Sequence, residues 1–240
     1  MDSNPASFLN HLRQAGYHPR SDKHSNALAE AIAVDLATHC PKIRAKAAEG
    51  QIVYDLNFTM MAGTADWNVD LVLGSPGFGA GVEHVGGPIA RCIPSSVEIA
   101  VEIKSVMTEH KKAVKNRKRD LEAHHEHVHN YSAKAIAGAV LVVNAAERFR
   151  SPLRAQDQVT VHKNSRRLVQ HCIKELRSVA TRGGQRGYGL EARCAIVVEM
   201  DNVDYASTRY VTEPPAPQVG DPLYYDAFIQ TICQVFESRF

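Results

Sequence analysis

Val97-Glu-Ile-Ala-Val-Glu-Ile-Lys104 alternates apolar and polar side chains and ends on a lysine. Residues two apart in a β-strand share a face. Glu102 and Lys104 therefore project together, while Val101 and Ile103 enter the opposite layer. An earlier stretch, Asn68-Val-Asp70-Leu-Val-Leu73, reads as a second acidic strand. There Asp70 shares a face with Asn68 and Val72, and Leu71 and Leu73 point the other way. An unpaired carboxylate inside an apolar strand is costly to bury, and a cation relieves that cost. One carboxylate from each of two neighbouring strands, with an ammonium beside one of them, suits a divalent cation held next to a phosphodiester.

The flanking sequence supplies the order of elements. A short helix is expected over residues 6–16 and a longer one over 24–40, where Leu28, Ile32 and Leu36 recur at helical spacing and Pro41 stops the run. Strands follow at about 52–61 and 67–73, then a Gly-rich loop over 74–92. A third strand is expected at about 96–104, a charged helix at 108–131, and a strand buried on both faces at Ile136–Val143. A helix over 156–179, a strand over 192–200 and a helix over 222–238 complete the chain. The result is one α/β domain over 1–240, with an α-β-β-β-α-β core at about 24–143 and a C-terminal αβα extension at about 150–240. The central sheet is expected to be mixed and flanked by helices.

Acid-x-Lys alone is a weak signal, because a chain of this length contains about one by chance. Glu109-His110-Lys111 is another, but it lies in a polar, helix-like run that would splay its side chains around a helix. Asp70 with Glu102-Ile103-Lys104, in that order of elements, resembles the PD-(D/E)xK nuclease superfamily, to which many restriction endonucleases belong. Val69 stands where the pattern has its nominal proline, a departure that leaves the chemistry untouched.

The resemblance implies a restriction-endonuclease-like fold and a Mg²⁺-dependent DNA endonuclease, with Mn²⁺ able to substitute, acting in restriction or phage defence. Asp70 and Glu102 would hold the metal, and Lys104 would orient water or offset charge on the phosphorane. A glutamate on the first core helix often reaches the metal in this superfamily. Glu30 is the candidate here, with Asp35 as its competitor and Asp66 and Glu98 as weaker acids. The stretch from Ile93 to Lys104 also looks like phage-defence effector nucleases, including those switched on by cyclic oligonucleotides. An RNA-directed or second-messenger-activated nuclease of the same fold, and a non-catalytic nucleic-acid-binding module, remain as alternatives.

The net charge of +2 is small, but six of the nine residues from Lys111 to Arg119 are basic. Lys111, Lys112, Lys115, Lys118 and Arg119 are candidates for phosphate contacts with double-stranded DNA. Arg182-Gly-Gly-Gln-Arg186-Gly-Tyr188-Gly is expected to form a mobile loop able to reach nucleic acid, or else a plain surface connection. His125 and His129 have i, i+4 spacing without a visible third ligand, which argues against zinc. The Gly74–Gly81 stretch lacks the residues of either Gly-rich nucleotide-binding motif.

Five widely spaced cysteines with no C-x-x-C pair argue against a zinc site or a disulfide framework and for a reducing compartment. With no signal-like N-terminus and no spanning apolar run, a cytoplasmic protein without membrane contact is expected. Cutting both DNA strands favours a homodimer or higher homo-oligomer. Tyr224, Phe228, Ile232 and Phe236 offer a helical face for it, unless the protomer's own core takes that face.

Overall fold

The computed structural model describes residues 4–62, 65–77, 87–155 and 157–240. Its elements are α1 (Ala6–Ala15), α2 (Lys23–His39), α3 (Pro41–Ala48), β1 (Val53–Ala62), β2 (Ala65–Gly74), β3 (Ile99–Val106), α4 (His110–Tyr131) and β4 (Ile136–Asn144). These are followed by β5 (Arg148–Arg150), β6 (Val159–Val161), α5 (Ser165–Arg177), β7 (Ala192–Glu199), β8 (Arg209–Tyr210) and α6 (Tyr225–Arg239). Six strands form one mixed sheet in the order β1-β2-β3-β4-β7-β8. The β1-β2, β2-β3 and β7-β8 pairs are antiparallel, and β3-β4 and β4-β7 are parallel.

Each face of the sheet carries its own core. Leu28, Ile32 and Leu36 of α2 and Phe228, Ile232 and Phe236 of α6 pack with Leu71, Val101 and Ile103 on one side. Val114, Leu121 and Val128 of α4 and Val169, Cys172 and Leu176 of α5 pack with Val72, Ala100 and Val106 on the other. Gly138 in β4 lets α6 approach, since a Cβ there would lie 3.1 Å from Val101 Cγ2 and 3.3 Å from the Phe228 ring. The α4 stripe recurs every seven residues, and the opposite stripe stays polar, as a helix half-covered by a sheet requires.

Several expectations are corrected. Pro41 does not simply stop α2; it opens α3, with Cys40 extended before it as the proline ring demands. The helix expected from 156 begins only at Ser165. Before it, β-branched Val159-Thr-Val161 pairs with Arg148–Arg150 in a separate two-stranded sheet. Cys40 and Cys233 form a disulfide, with Cα atoms 5.2 Å apart, that ties the α2–α3 junction to α6. Spacing along the chain gave no hint of this pair, because the two residues are 193 positions apart. Phe228, Ile232 and Phe236 are fully buried within the protomer, so the α6 face is core and not a dimer surface. Among the described residues no helix is long and apolar enough to cross a membrane. The Gly-rich stretch is described only in part, with residues 78–86 lying outside the described ones.

Candidate active site

The site begins where β2 and β3 part. Their ladder runs Leu73↔Ile99, Val72↔Ala100, Leu71↔Val101 and stops there. The next pair in register would be Asp70 with Glu102, and the two lie close enough for the Asp70 charge to act on the Glu102 carboxyl. In place of a backbone bond, the Ile103 N–H donates to Asp70 Oδ2 at 2.7 Å. The Asp70 carboxylate thus occupies the fork between the strands and caps the ladder.

A twist in the β1-β2 hairpin opens that fork. Leu56 and Leu71 pack on the α2 side of the sheet, yet Phe58, Met60 and Val69 pack on the α4 side. These residues have the same parity along their strands, so the ribbon turns over between them. Asn57, facing Asp70 across the hairpin, adopts φ +52° at the turning point, a conformation asparagine tolerates better than most residues. Its side-chain amide donates to Asn26 Oδ1 at 3.0 Å and Asp22 Oδ2 at 3.3 Å, pinning the start of α2 beside the fork.

Glu102 and Lys104 project together, as alternation required, toward α4. The Glu102 side chain is 3% exposed and ion-paired to Lys104 through Oε1. Its second oxygen, Oε2, is buried without any hydrogen-bond partner. Burial, followed by the charge of Asp70, pushes the Glu102 carboxyl up from 4.5 to about 7 against the pull of Lys104. Asp70 is raised as well, first by burial and against the Ile103 bond and Lys104. Burial works against the Lys104 ammonium, but Glu102 and Asp70 outweigh it and raise the lysine, so it stays charged.

Helix α4 contributes groups that strand periodicity alone could not reveal. His124 is wholly buried beneath the strand, with Nε2 3.3 Å from the Ala100 carbonyl and Nδ1 3.8 Å from Glu102 Oε2. Burial drives it down to about 3, so it is a neutral imidazole. Arg117 donates to the Ser105 carbonyl and to Asp120, and the Asp120 charge acts on both Glu102 and Lys104. Arg117, His124 and neighbouring Asp120 fall along the helix's inward stripe with Leu121 and Val128. Polar residues on such a stripe were the available signal.

Other candidates are placed elsewhere. Glu30 is half-exposed, 3.7 Å from Arg91, which also reaches Asp55. At the fork it is Ser25 of α2 and Asp22 just before the helix that act on Asp70, while Asn26 and Asp22 hold Asn57. Asp35 accepts a 2.7 Å bond from the Tyr225 hydroxyl, and Asp66 is exposed at the hairpin tip. Glu98 lies just before β3, bonded to Lys46 and Ser75. Lys111, Lys112, Lys115 and Arg119 are exposed with no carboxylate within ion-pair distance among the described residues, whereas Lys118 lies near Glu122 and Glu175. His129 bonds the Gly189 carbonyl and Arg182, not a metal partner. Arg182 itself is buried, so of the two arginines and the tyrosine in the Arg182–Gly189 loop Arg186 and Tyr188 are at the surface.

No known family, curated protein or solved structure gives a significant match to this chain. Function must therefore be argued from the fork itself. Among the described residues no three His, Cys, Asp or Glu side chains form a ready-made metal cluster. Two carboxylates nevertheless fit Mg²⁺, which commonly takes one or two and keeps several waters. The orphaned Glu102 Oε2 and the upward displacement of both acids are what a buried pair shows when a single lysine faces two carboxylates.

Proposed function

We propose that this chain is a Mg²⁺-dependent DNA endonuclease of the PD-(D/E)xK type, acting in restriction or phage defence. The observation that carries the reading is the fork: Asp70 and Glu102 flank the point where the β2-β3 ladder ends, with Lys104 on the Glu102 face. The succession α2-β1-β2-β3-α4-β4, interrupted only by short α3, follows the core order expected for that superfamily. A buried acid with an unpartnered oxygen reduces stability, and such costs concentrate where a ligand is to be bound.

Asp70 and Glu102 would hold the metal, and when bound it would supply Lewis-acid charge at the phosphoryl oxygen and acidify a water. Asp70 is positioned by the Ile103 N–H, so its carboxylate has a fixed direction. Lys104 is a cation in this setting and so serves as a charge-bearing donor that orients water or offsets charge on the phosphorane, not as a base. Neutral His124 buttresses Glu102 from below and excludes water from that side. The exposed cations of α4 would meet phosphates flanking the scissile bond without reading sequence. Cutting both strands calls for a symmetric pair of protomers, formed through a surface other than α6.

Plasmid incubated with pure protein should be cut in Mg²⁺ or Mn²⁺, poorly in Ca²⁺ and not with EDTA. Asp70→Ala, Glu102→Ala and Lys104→Ala should each abolish cutting with the fold retained, and Glu109→Ala should cut normally. Normal cutting by the Glu102 variant, or equal loss in the Glu109 variant, would overturn the assignment.

A further inference from the structure

A second surface stands at the carboxyl ends of the parallel strands, the end toward which Lys104 lies on β3. Just beyond β4 the chain folds into the β5-β6 ribbon, which forms no ladder with the main sheet. Its register pairs Arg148 with Val161, Phe149 with Thr160 and Arg150 with Val159. Phe149 is buried in the core, so one face of the ribbon is anchored there. The other face, carrying both arginines and both valines, looks away from it. His110 of α4 and His162, just after β6, meet edge to face at 4.6 Å and line an open cleft between the ribbon and α4. Val161, Lys111, Lys112 and Lys163 line it too, so the ribbon continues the basic surface of α4.

The free face combines two properties. Arg148 and Arg150 have no carboxylate within ion-pair distance and no side-chain hydrogen bond among the described residues, although Glu147 and Asp157 are near in sequence. Arg154, at the turn, differs: it reaches Glu109 at 3.5 Å and the Thr160 hydroxyl at 3.2 Å. The two guanidinium forks are therefore unspent. Directly opposite them, Val161 is 60% and Val159 37% exposed.

That mixture separates the ribbon from α4. Lysines such as Lys111 and Lys112 suit phosphates, which are point-like charges and gain nothing from methyl groups nearby. Base edges in the major groove offer the opposite combination. Guanine presents two acceptors that match an arginine fork, and thymine presents a methyl group that matches an aliphatic side chain. The major groove is also wide enough to admit a two-stranded ribbon.

We propose that the β5-β6 ribbon enters the major groove of double-stranded DNA and reads base edges, with Arg148 and Arg150 on guanines and Val159 and Val161 against thymine methyls. The cations of α4 hold the flanking phosphates. The proposal rests on the nuclease reading only for DNA as the ligand, and it gives the choice of target to the ribbon.

Selection of bound duplexes from a random pool in EDTA tests it, since no cleavage is needed. The parent should enrich a short motif containing guanine. Arg148→Lys and Arg150→Lys keep the charge and lose the planar fork. Each should reduce the preference for the enriched duplex over a scrambled one about tenfold, with affinity for the scrambled duplex and its salt slope unchanged. Val161→Ser, an exposed change, should relax a thymine position of the motif. Absence of any motif in the parent's pool, or undiminished preference in both lysine variants, would overturn the proposal. So would alanine variants that each lower the salt slope by about one with the preference intact, because the arginines would then be phosphate contacts. Phosphatidylserine vesicles bound more tightly than duplex, and released by Val161→Ser, would give the ribbon to a membrane surface instead. Enrichment without cleavage in Mg²⁺ would sink the nuclease reading and leave the ribbon's role standing, and cleavage without enrichment would do the reverse.

Discussion

Two of the buried glutamates, Glu191 and Glu102, are treated in opposite ways. Glu191, just before β7, has a fully buried side chain with a partner on each oxygen. Arg239 lies at 2.8 Å and Arg182 at 3.5 Å, and the Ala137 N–H donates at 2.8 Å. Those partners come from the last turn of α6, the loop before β7 and the first residues of β4, so the acid gathers three distant segments. Glu102 has one lysine on one oxygen and nothing on the other. A carboxylate whose charge is neutralised and whose lone pairs are filled ties a fold together. One left half-satisfied at a gap between strands reserves its remaining capacity for something not covalently part of the chain.

The contrast is broken if the two acids respond alike to removal of charge. Glu191→Gln should destabilise the protein by about 3–5 kcal/mol, because it strands two buried guanidinium groups. Glu102→Gln should not, since the site it vacates was already short of partners. Denaturant titration of both variants in EDTA measures the difference, and a large loss from Glu102→Gln would place that residue with Glu191 as a structural acid.

The pH dependence sharpens the same point. The Glu102 carboxyl is raised from 4.5 to about 7, chiefly by burial. Between those values the unfolded chain has lost the proton that the folded chain keeps, so this group makes stability fall as pH rises through the window. Below the window its penalty is absent, and above about 7 it is fully present. Glu102→Gln should therefore match the parent under acid conditions and exceed it under alkaline ones by roughly 1–3 kcal/mol, less than the full linkage because Lys104 loses its partner. Mg²⁺ should raise the parent's melting temperature increasingly as pH climbs and leave the variant unmoved. A parent whose stability is flat across that range would mean Glu102 is not held out of water as described.

The two acidic strands were legible because a period of two is a local property, and Val101, Ile103, Leu71 and Leu73 do lie in the layer that alternation assigned them. The meeting of Asp70 with Glu102 was legible only as far as strand adjacency could be guessed. The twist at Asn57 that turns the hairpin over was not, since its cause is one residue's backbone angle and its bonds to α2. Glu30 was chosen from its helical face, but Arg91, from the long loop before β3, takes that carboxylate instead. Contacts between distant segments were likewise closed to reading by period: the Cys40–Cys233 pair, the Arg182–Glu191–Arg239 cluster and the His110–His162 cleft each join residues far apart in sequence. The α6 stripe was visible, but whether it met the protomer's own sheet or a second copy depended on where β7 and β4 would lie.

The smallest expected effect concerns the basic side of α4, where the comparison between satisfied and unsatisfied charge recurs at the surface. Lys115 and Arg119 are exposed without an acidic partner among the described residues, while Lys118 lies 3.8 Å from Glu122 and 3.9 Å from Glu175. A cation already facing two carboxylates releases fewer counterions when a phosphate arrives, so it contributes less to the salt dependence of DNA binding. Lys115→Ala and Arg119→Ala should each lower the slope of log K against log salt by about one and weaken binding to unrelated sequences equally. Lys118→Ala should change the slope by clearly less than either. Anisotropy titrations of one labelled duplex across a salt series resolve this ranking. Three equal slopes would mean that local ion pairs do not screen these side chains, and an unchanged slope in all three would remove α4 from the DNA-binding surface.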